Sequence, residues 1–124
     1  MAKSPDWQDV GAASELRKKP LSQVLAGKTP IAVSFVQGEF HAISGVCNHK
    51  GGPLGEGKVV DGCITCPWHG YQYLPGNGQS PPPFTEKIPT YRVRIVARRV
   101  EVDPRPLPPG TPVEPAIVPE RADG

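Results

Sequence analysis

Two short motifs combine cysteine with histidine at spacings that suit metal binding. The first is Cys47-Asn-His49 and the second is Cys66-Pro-Trp-His69, with sixteen residues between them. A two-residue step puts two side chains on one side of an extended loop, and a three-residue step does the same in a tight turn. Neighbouring glycines and prolines suit a backbone that bends sharply. These four residues are therefore the candidate ligands of one metal centre.

The number of cysteines limits which kinds of metal centre the chain can hold. The chain has three cysteines, and an odd number argues against a disulfide framework and favours metal or redox chemistry. Iron–sulfur clusters held by four cysteines are excluded for a single chain. A [2Fe–2S] cluster held by two cysteines and two histidines and a structural zinc site both remain open. We expect the third cysteine, Cys63, to be a small buried strand residue.

The segments around both motifs have the pattern of short β-strands. Ile31 to Gln37 and Phe40 to Ser44 form a predicted hairpin. Lys58 to Asp61 and Cys63 to Thr65 form another, around Gly62. Tyr91 to Ala97 alternates between apolar and charged residues, and the pattern continues at Val100 and Val102 after a turn near Arg98-Arg99. The sequence therefore predicts an all-β fold of short antiparallel strands, with each motif in a loop that follows a strand.

Two segments differ from this pattern. Ser14 to Lys19 is predicted to be a short helix with Ser14 as its N-cap, stopped by Pro20. Seven prolines lie between Asp103 and Gly124, and they predict a polyproline-like or flexible extension. We therefore expect a globular domain at residues 5–103 and a proline-rich, flexible tail at residues 104–124.

Charge and hydropathy exclude several classes of protein. Lysine and arginine total 14 and aspartate and glutamate total 12, so the net charge of +2 gives no indication of nucleic-acid binding. No apolar run is long enough to span a membrane, and the first residues do not resemble a secretory signal. We expect a cytoplasmic protein and a monomer.

The paired motifs, in the forms C-N-H-K-G-G-P-L and C-P-W-H-G-Y-Q-Y, resemble the signature of the Rieske [2Fe–2S] domain. The resemblance extends over the strand pattern from about Trp7 to Val102. It implies a Rieske-like fold with a cluster-binding subdomain formed by two loops. It also implies that Cys47 and Cys66 hold the inner iron, while His49 and His69 hold the outer iron near the surface.

The sequence departs from the Rieske proteins of cytochrome bc-type complexes. Those proteins are similar but carry two further cysteines that link the loops, where this chain has Gly52 and Trp68. They also carry a serine, which donates a hydrogen bond to a cluster sulfur, where this chain has Tyr71. The tyrosine at Tyr73 is kept, and the resemblance implies that it donates to a cysteine sulfur. Fewer hydrogen bonds to sulfur favour a reduction potential in the lower part of the Rieske range, about −150 to +300 mV. Residues 79–83 loosely match a proline loop that covers the cluster in this family.

The resemblance implies an electron carrier rather than an enzyme. The first hypothesis is a ferredoxin that passes electrons from a reductase to a terminal oxygenase or a related redox enzyme. An oxygenase needs a mononuclear iron held by two histidines and a carboxylate, and only His41 remains outside the motifs. A small subunit of a larger redox complex and a structural zinc module are the alternatives.

Overall fold

The computed structural model describes residues 7–47, 52–68 and 70–117 of the chain. Nearly all regular structure in these ranges is β, which confirms the predicted class. In chain order the elements are β1 (Gln8–Ala12), α1 (Ala13–Leu16), β2 (Leu21–Ala26), β3 (Thr29–Val36), β4 (Glu39–Ser44), a 3₁₀ turn (Leu54–Glu56), β5 (Lys58–Val60), β6 (Cys63–Thr65), β7 (Gln72–Tyr73), β8 (Thr90–Tyr91), β9 (Val93–Val96), β10 (Arg99–Val102) and β11 (Ala116–Ile117).

Two antiparallel sheets form the body of the molecule. One has the order β1-β10-β9, and the other has the order β11-β4-β3-β2, with β8 also paired to β4. Alternate residues of these strands point into a shared apolar core, as the period of a strand requires. Its larger members are Ile31, Val33, Phe40, Tyr91, Val93, Val100 and Val102. The core therefore combines strands from both ends of the chain.

Three tight turns between consecutive strands have left-handed backbone at both central residues. Gln37-Gly38 connects β3 to β4, and Asp61-Gly62 connects β5 to β6, both as predicted. Ala97-Arg98 connects β9 to β10, one residue before the predicted position. Positive φ at both central residues matches the right-handed twist of the flanking strands.

The structure differs from two predictions. The predicted strand from Tyr91 to Ala97 is divided at Arg92, because β8 pairs with β4 while β9 pairs with β10. The predicted N-cap at Ser14 is wrong, because the cap residue of α1 is Ala12, which makes no side-chain hydrogen bond. The amide of Ala13 donates instead to the Arg98 carbonyl at 2.9 Å. A carbonyl of the β9–β10 turn thus accepts the hydrogen bond of a helix amide that has no partner within the helix.

A third sheet, β5-β6-β7, carries the segments that contain both motifs. We call residues 45–57, between β4 and β5, the first ligand loop, and residues 66–71, between β6 and β7, the second ligand loop. Apolar side chains from this sheet and from the body form a second core below the loops. It includes Leu21, Ile43, Leu54, Ile64, Tyr73 and Ile88, together with Cys47 and Cys66.

The part of the predicted tail that the structure describes, residues 104–117, lies against the body. Backbone amides of Leu107, Gly110 and Val113 donate to carbonyls of Thr90, Ile88 and Gly76. At its end β11 pairs with β4. We call residues 104–117 the C-terminal strap. The predicted domain boundary at residue 103 stays a prediction, and residues 118–124 lie outside the described ranges.

Candidate metal centre

Cys47 and Cys66 lie together in the second core, each at the start of a closed loop. Each residue is only 2% exposed. The Cys47 amide donates to the Gly52 carbonyl at 2.8 Å, and the Cys66 amide donates to the Tyr71 carbonyl at 2.8 Å. In the sequence, each of these bonds spans the position of one predicted histidine. Hydrogen bonds of the backbone thus fix both cysteines within the second core.

His49 and His69 lie outside the described residues. Within the described ranges no three histidine, cysteine, aspartate or glutamate side chains form a group that could hold a metal ion. The predicted set of four ligands therefore stays a prediction.

Tyr73 connects β7 to the sulfur of Cys47. Its side chain is fully buried, and its hydroxyl lies 3.8 Å from the Cys47 sulfur. Either atom could donate in this contact. If Cys47 binds a metal as predicted, its thiolate has no proton and the tyrosine hydroxyl is the donor. This contact agrees with the predicted role of Tyr73 as a hydrogen-bond donor to a cysteine sulfur.

Gln23 holds both ends of the first ligand loop, a role that the sequence did not predict. From β2, its side-chain amide donates to the Gly45 carbonyl at 3.0 Å, and its side-chain carbonyl accepts from the Gly55 amide at 2.6 Å. A Cβ at either glycine would collide with Gln23. The loop therefore starts and ends at one side chain of the body sheet.

Aromatic and proline rings of the second ligand loop contact glycines of the first. Trp68 lies on Gly52, and Pro67 lies next to Gly57. Trp68 nevertheless remains 55% exposed. Its second face is thus open to solvent.

The predicted proline loop lies beside the second ligand loop. The Ser80 hydroxyl donates to the Gln72 carbonyl at 2.7 Å, and the exposed Phe84 closes a turn on Pro81. A cleft of about 340 Å³ separates the two segments, lined by Gly70, Tyr71, Gln72, Ser80, Phe84 and Glu86. That the proline loop covers a cluster stays a prediction.

The remaining cysteine and histidine have no place in the candidate centre. Cys63 is buried in β6, as predicted, and burial together with the charge of Asp61 raises the pKa of its thiol. A raised pKa leaves little thiolate for reaction or metal binding. His41 is partly buried on β4, and burial lowers the pKa of its imidazole against the opposing effect of Glu39.

The donor set of the described residues fits an iron–sulfur cluster. Two buried thiols meet at the base of two loops, with a tyrosine hydroxyl next to one sulfur. Thiolate sulfur is the protein ligand common to all iron–sulfur clusters, and hydrogen bonds to it tune the potential.

Comparison with known proteins identifies the same kind of centre. A family model for the Rieske [2Fe–2S] domain matches residues 6–92. The anthranilate 1,2-dioxygenase ferredoxin subunit of Burkholderia cepacia is 35% identical over 99 residues, which cover 79% of this chain and 92% of that protein. Aminopyrrolnitrin oxygenase PrnD of Pseudomonas fluorescens is 30% identical over 82 residues, but this chain spans only 23% of that enzyme.

A solved structure is also similar to this chain in fold. The complex of reduced oxygenase and oxidised ferredoxin in carbazole 1,9a-dioxygenase contains a chain that superimposes with a TM-score of 0.73 and 27% identity. The match covers 85% of this chain and 99% of that one. In length and in fold, this chain is therefore similar to the ferredoxin components of oxygenase systems.

Proposed function

Since the chain belongs to the Rieske [2Fe–2S] domain family, we propose that the cysteines and histidines of its two motifs are the four ligands of its cluster. The protein is a one-electron carrier with a Rieske-type [2Fe–2S] cluster. The proposed ligands are Cys47 and Cys66 for the inner iron and His49 and His69 for the outer iron.

The observation that carries the ligand assignment is the pair of buried cysteines. Cys47 and Cys66 belong to one apolar core, and each opens a loop that is closed by its own amide. In the sequence His49 and His69 fall inside these two closed loops. In our proposal, one cysteine and one histidine from each loop would bind the same cluster.

The cluster supplies the transfer of single electrons, and the chain supplies its environment. The second core excludes water from the cysteine side. Tyr73 donates a hydrogen bond to the Cys47 sulfur, which stabilises negative charge there. In our proposal His49 and His69 would hold the outer iron near the surface, which would be the point of electron entry and exit.

We assign the electron's route by analogy with the ferredoxin relatives. In the proposed route a reductase reduces this carrier, and the carrier reduces a terminal oxygenase or a similar enzyme. The near-complete coverage of a dioxygenase ferredoxin subunit supports this route. No helix within the described ranges has the length and apolar character of a membrane span. We propose that the protein works as a cytoplasmic monomer.

The ligand assignment is tested by EPR of the dithionite-reduced protein. We expect a Rieske-type signal that is lost in His49→Ala and His69→Ala. His41→Ala is the matched control, since that imidazole lies on β4, and we expect it to keep the signal. An unaltered spectrum in either motif variant would remove that histidine from the set. A colourless protein that holds zinc and no iron would end the redox proposal.

We also propose a reduction potential in the lower part of the Rieske range. The support is Tyr71, which stands where cytochrome bc-type relatives carry a serine that donates a hydrogen bond to a cluster sulfur. The hydroxyl of Tyr73, the donor that is kept, acts in the opposite direction. A redox titration checks this, and a midpoint near +300 mV, the top of the range, would contradict it.

A further inference from the structure

Trp68 of the second ligand loop packs on Gly52 of the first. A Cβ built on Gly52 would lie 3.0 Å from Cδ2 and 3.2 Å from Cγ of Trp68. The indole ring therefore lies directly on the backbone of Gly52, which is buried. Since such distances are tighter than ordinary contacts, no side chain fits between the ring and the first loop.

A second contact of the same kind lies next to it. Pro67, the residue before Trp68, lies next to Gly57 at the other end of the first loop. A Cβ on Gly57 would collide with the Thr65 carbonyl of β6 and would lie 3.2 Å from Cδ of Pro67. Two consecutive rings of the second ligand loop thus meet two glycines of the first. The two contacts lie five residues apart in the first loop.

The contact of Trp68 involves Gly52, which is hydrogen-bonded to the proposed ligand Cys47. The carbonyl of Gly52 accepts the amide of Cys47 at 2.8 Å. Trp68 follows Cys66 by two residues. A displacement of the indole ring would therefore change the position of Cys47 relative to Cys66, the two residues that hold one iron in the proposed ligand set.

We propose that Trp68 is a positioning residue that clamps the two ligand loops together by packing on Gly52. We call this contact the interloop clamp. It holds the loops together without a covalent bond, at a distance close to that found in a disulfide. In a disulfide, about 3 Å separates the Cβ of one residue from the sulfur of the other. Trp68 Cγ, the atom that a cysteine sulfur would replace, lies 3.2 Å from the Cβ position of Gly52.

The clamp rests on the proposed ligand set, because it matters for the cluster only if both loops hold it. The two ideas can fail separately. If His49→Ala and His69→Ala keep the Rieske signal, the ligand set is wrong. If they lose it while changes at Trp68 leave the cluster unaffected, the clamp alone is wrong.

The first test compares tryptophan variants of the cluster-loaded protein. The measurement is the rate at which visible absorbance decays with excess iron chelator, together with the EPR spectrum of the reduced protein. We expect Trp68→Ala to lose the cluster about tenfold faster than wild type. We also expect its EPR lines to broaden, because the loops are no longer held at one separation. Trp68→Phe keeps a ring on Gly52, and we expect a loss less than about threefold faster.

Matched controls separate the clamp from general destabilisation. Trp7, which stacks on Arg94 of β9, is the control tryptophan, and we expect Trp7→Ala to lose the cluster at the wild-type rate. Gly52→Ala should accelerate the loss, since its Cβ pushes against the indole. Gly76→Ala should not, since its Cβ would lie at an ordinary 3.5 Å from the His41 ring.

A covalent replacement gives the decisive result. The double variant Gly52→Cys/Trp68→Cys removes the ring and offers a disulfide at the same positions. We expect oxidised glutathione to restore the slow cluster loss and the narrow EPR lines, and dithiothreitol to reverse this. Wild-type loss rates in Trp68→Ala, equal acceleration in Trp7→Ala, or a formed disulfide that restores nothing would each overturn the clamp.

Discussion

Tyr73 would act on the proposed centre through its hydroxyl. Its ring fills the second core and its oxygen lies 3.8 Å from the Cys47 sulfur, so packing decides where the hydrogen bond points. The reduced cluster carries one more negative charge than the oxidised one. A donor to sulfur therefore stabilises the reduced state more than the oxidised state and raises the potential.

Tyr73→Phe removes this donor and keeps the ring. We expect the midpoint potential to fall by about 20–60 mV, the equivalent of one hydrogen bond of about 0.5–1.5 kcal/mol for a one-electron couple. Protein-film voltammetry measures the shift. Tyr91→Phe is the control, since Tyr91 is buried in the body core on β8, and we expect an unchanged potential. A potential that does not fall in Tyr73→Phe would show that its hydroxyl does not bond the sulfur.

Asp103 is a buried carboxylate at the end of β10. Burial alone would raise its pKa, but hydrogen bonds from the side chain and amide of Arg105, with the charges of Arg105 and Arg92, outweigh this and lower it. A lowered folded pKa means that the charged form stabilises the fold above the unfolded pKa of about 4. That contribution is lost as the pH falls through the lower folded pKa.

Asp103→Asn removes the charge and keeps the size. We expect it to reduce the free energy of unfolding by about 1–3 kcal/mol at pH 7, because bonds to charged groups are lost inside the protein. The difference from wild type should be constant between pH 8 and 5 and shrink below pH 4. Urea unfolding across this range measures it. The exposed pair of Asp9 with Arg99 supplies the control, and Asp9→Asn should change stability little. An equal loss in both variants would contradict the assignment.

At the scale of elements, the sequence pattern predicted the hairpins, whose formation depends on neighbouring residues. The β3–β4 and β5–β6 hairpins follow from alternating residues and the turns at Gly38 and Gly62, and the structure confirms them. The positions of Cys47 and Cys66 in loops after strands were likewise evident from the sequence. The division of the strand at Arg92 was not, since it depends on which sheet each half joins.

Long-range contacts account for what the sequence did not predict. Gln23 lies on a strand without any motif, and its partners Gly45 and Gly55 are 22 and 32 residues away. The start of α1 is set by the Arg98 carbonyl rather than by a capping side chain. No local spacing encodes such contacts, because they arise only when distant elements pack.

Gln23 offers a test of how the body supports the first ligand loop. We expect Gln23→Ala to destabilise the loaded protein by about 1–3 kcal/mol, since the Gly45 carbonyl and Gly55 amide lose their bonds to it. We expect cluster loss to accelerate as well. Thermal unfolding and absorbance decay measure the two effects.

Gln23→Glu separates the two bonds. It keeps the acceptor for the Gly55 amide, but it places a carboxylate oxygen next to the Gly45 carbonyl, and these two acceptors repel each other. We therefore expect a loss of stability close to that of Gln23→Ala. Gln72→Ala, which removes a bond from β7 to Thr65 but none to the first loop, is the control. If it accelerates cluster loss as much as Gln23→Ala, the support is not specific to that loop.

At the scale of the whole molecule, the C-terminal strap joins the body sheets to the segment that carries the proline loop. The Gln79 side chain donates to the Gly110 carbonyl at 2.9 Å, and the Thr90 hydroxyl donates to the Thr111 carbonyl at 2.8 Å. These bonds hold both ends of the segment between Gly78 and Thr90. The proline content of the strap suits this role, because prolines reduce the entropy lost when a segment is fixed in extended form.

Deletion of residues 108–124 tests the strap and keeps the Asp103–Arg105 pair. We expect faster hydrogen exchange at the amides of Ser80 and Ile88, by about 10-fold to 100-fold, because their segment loses its bonds to Gly110 and Thr111. We expect the Rieske EPR signal to remain, since the proposed ligands lie in other loops. Hydrogen exchange followed by mass spectrometry measures the first effect.

Deletion of residues 118–124 alone is the matched control, because it leaves every described contact of the strap in place, and we expect wild-type exchange at Ser80 and Ile88. Accelerated exchange only in the longer deletion assigns the effect to the strap. Unchanged exchange after the longer deletion would mean that the bonds within the segment, such as Ser80 to Glu86 and Ile88 to Gly78, hold it without the strap. The proline loop would then keep its place beside the second ligand loop through Ser80 and Gln72 alone.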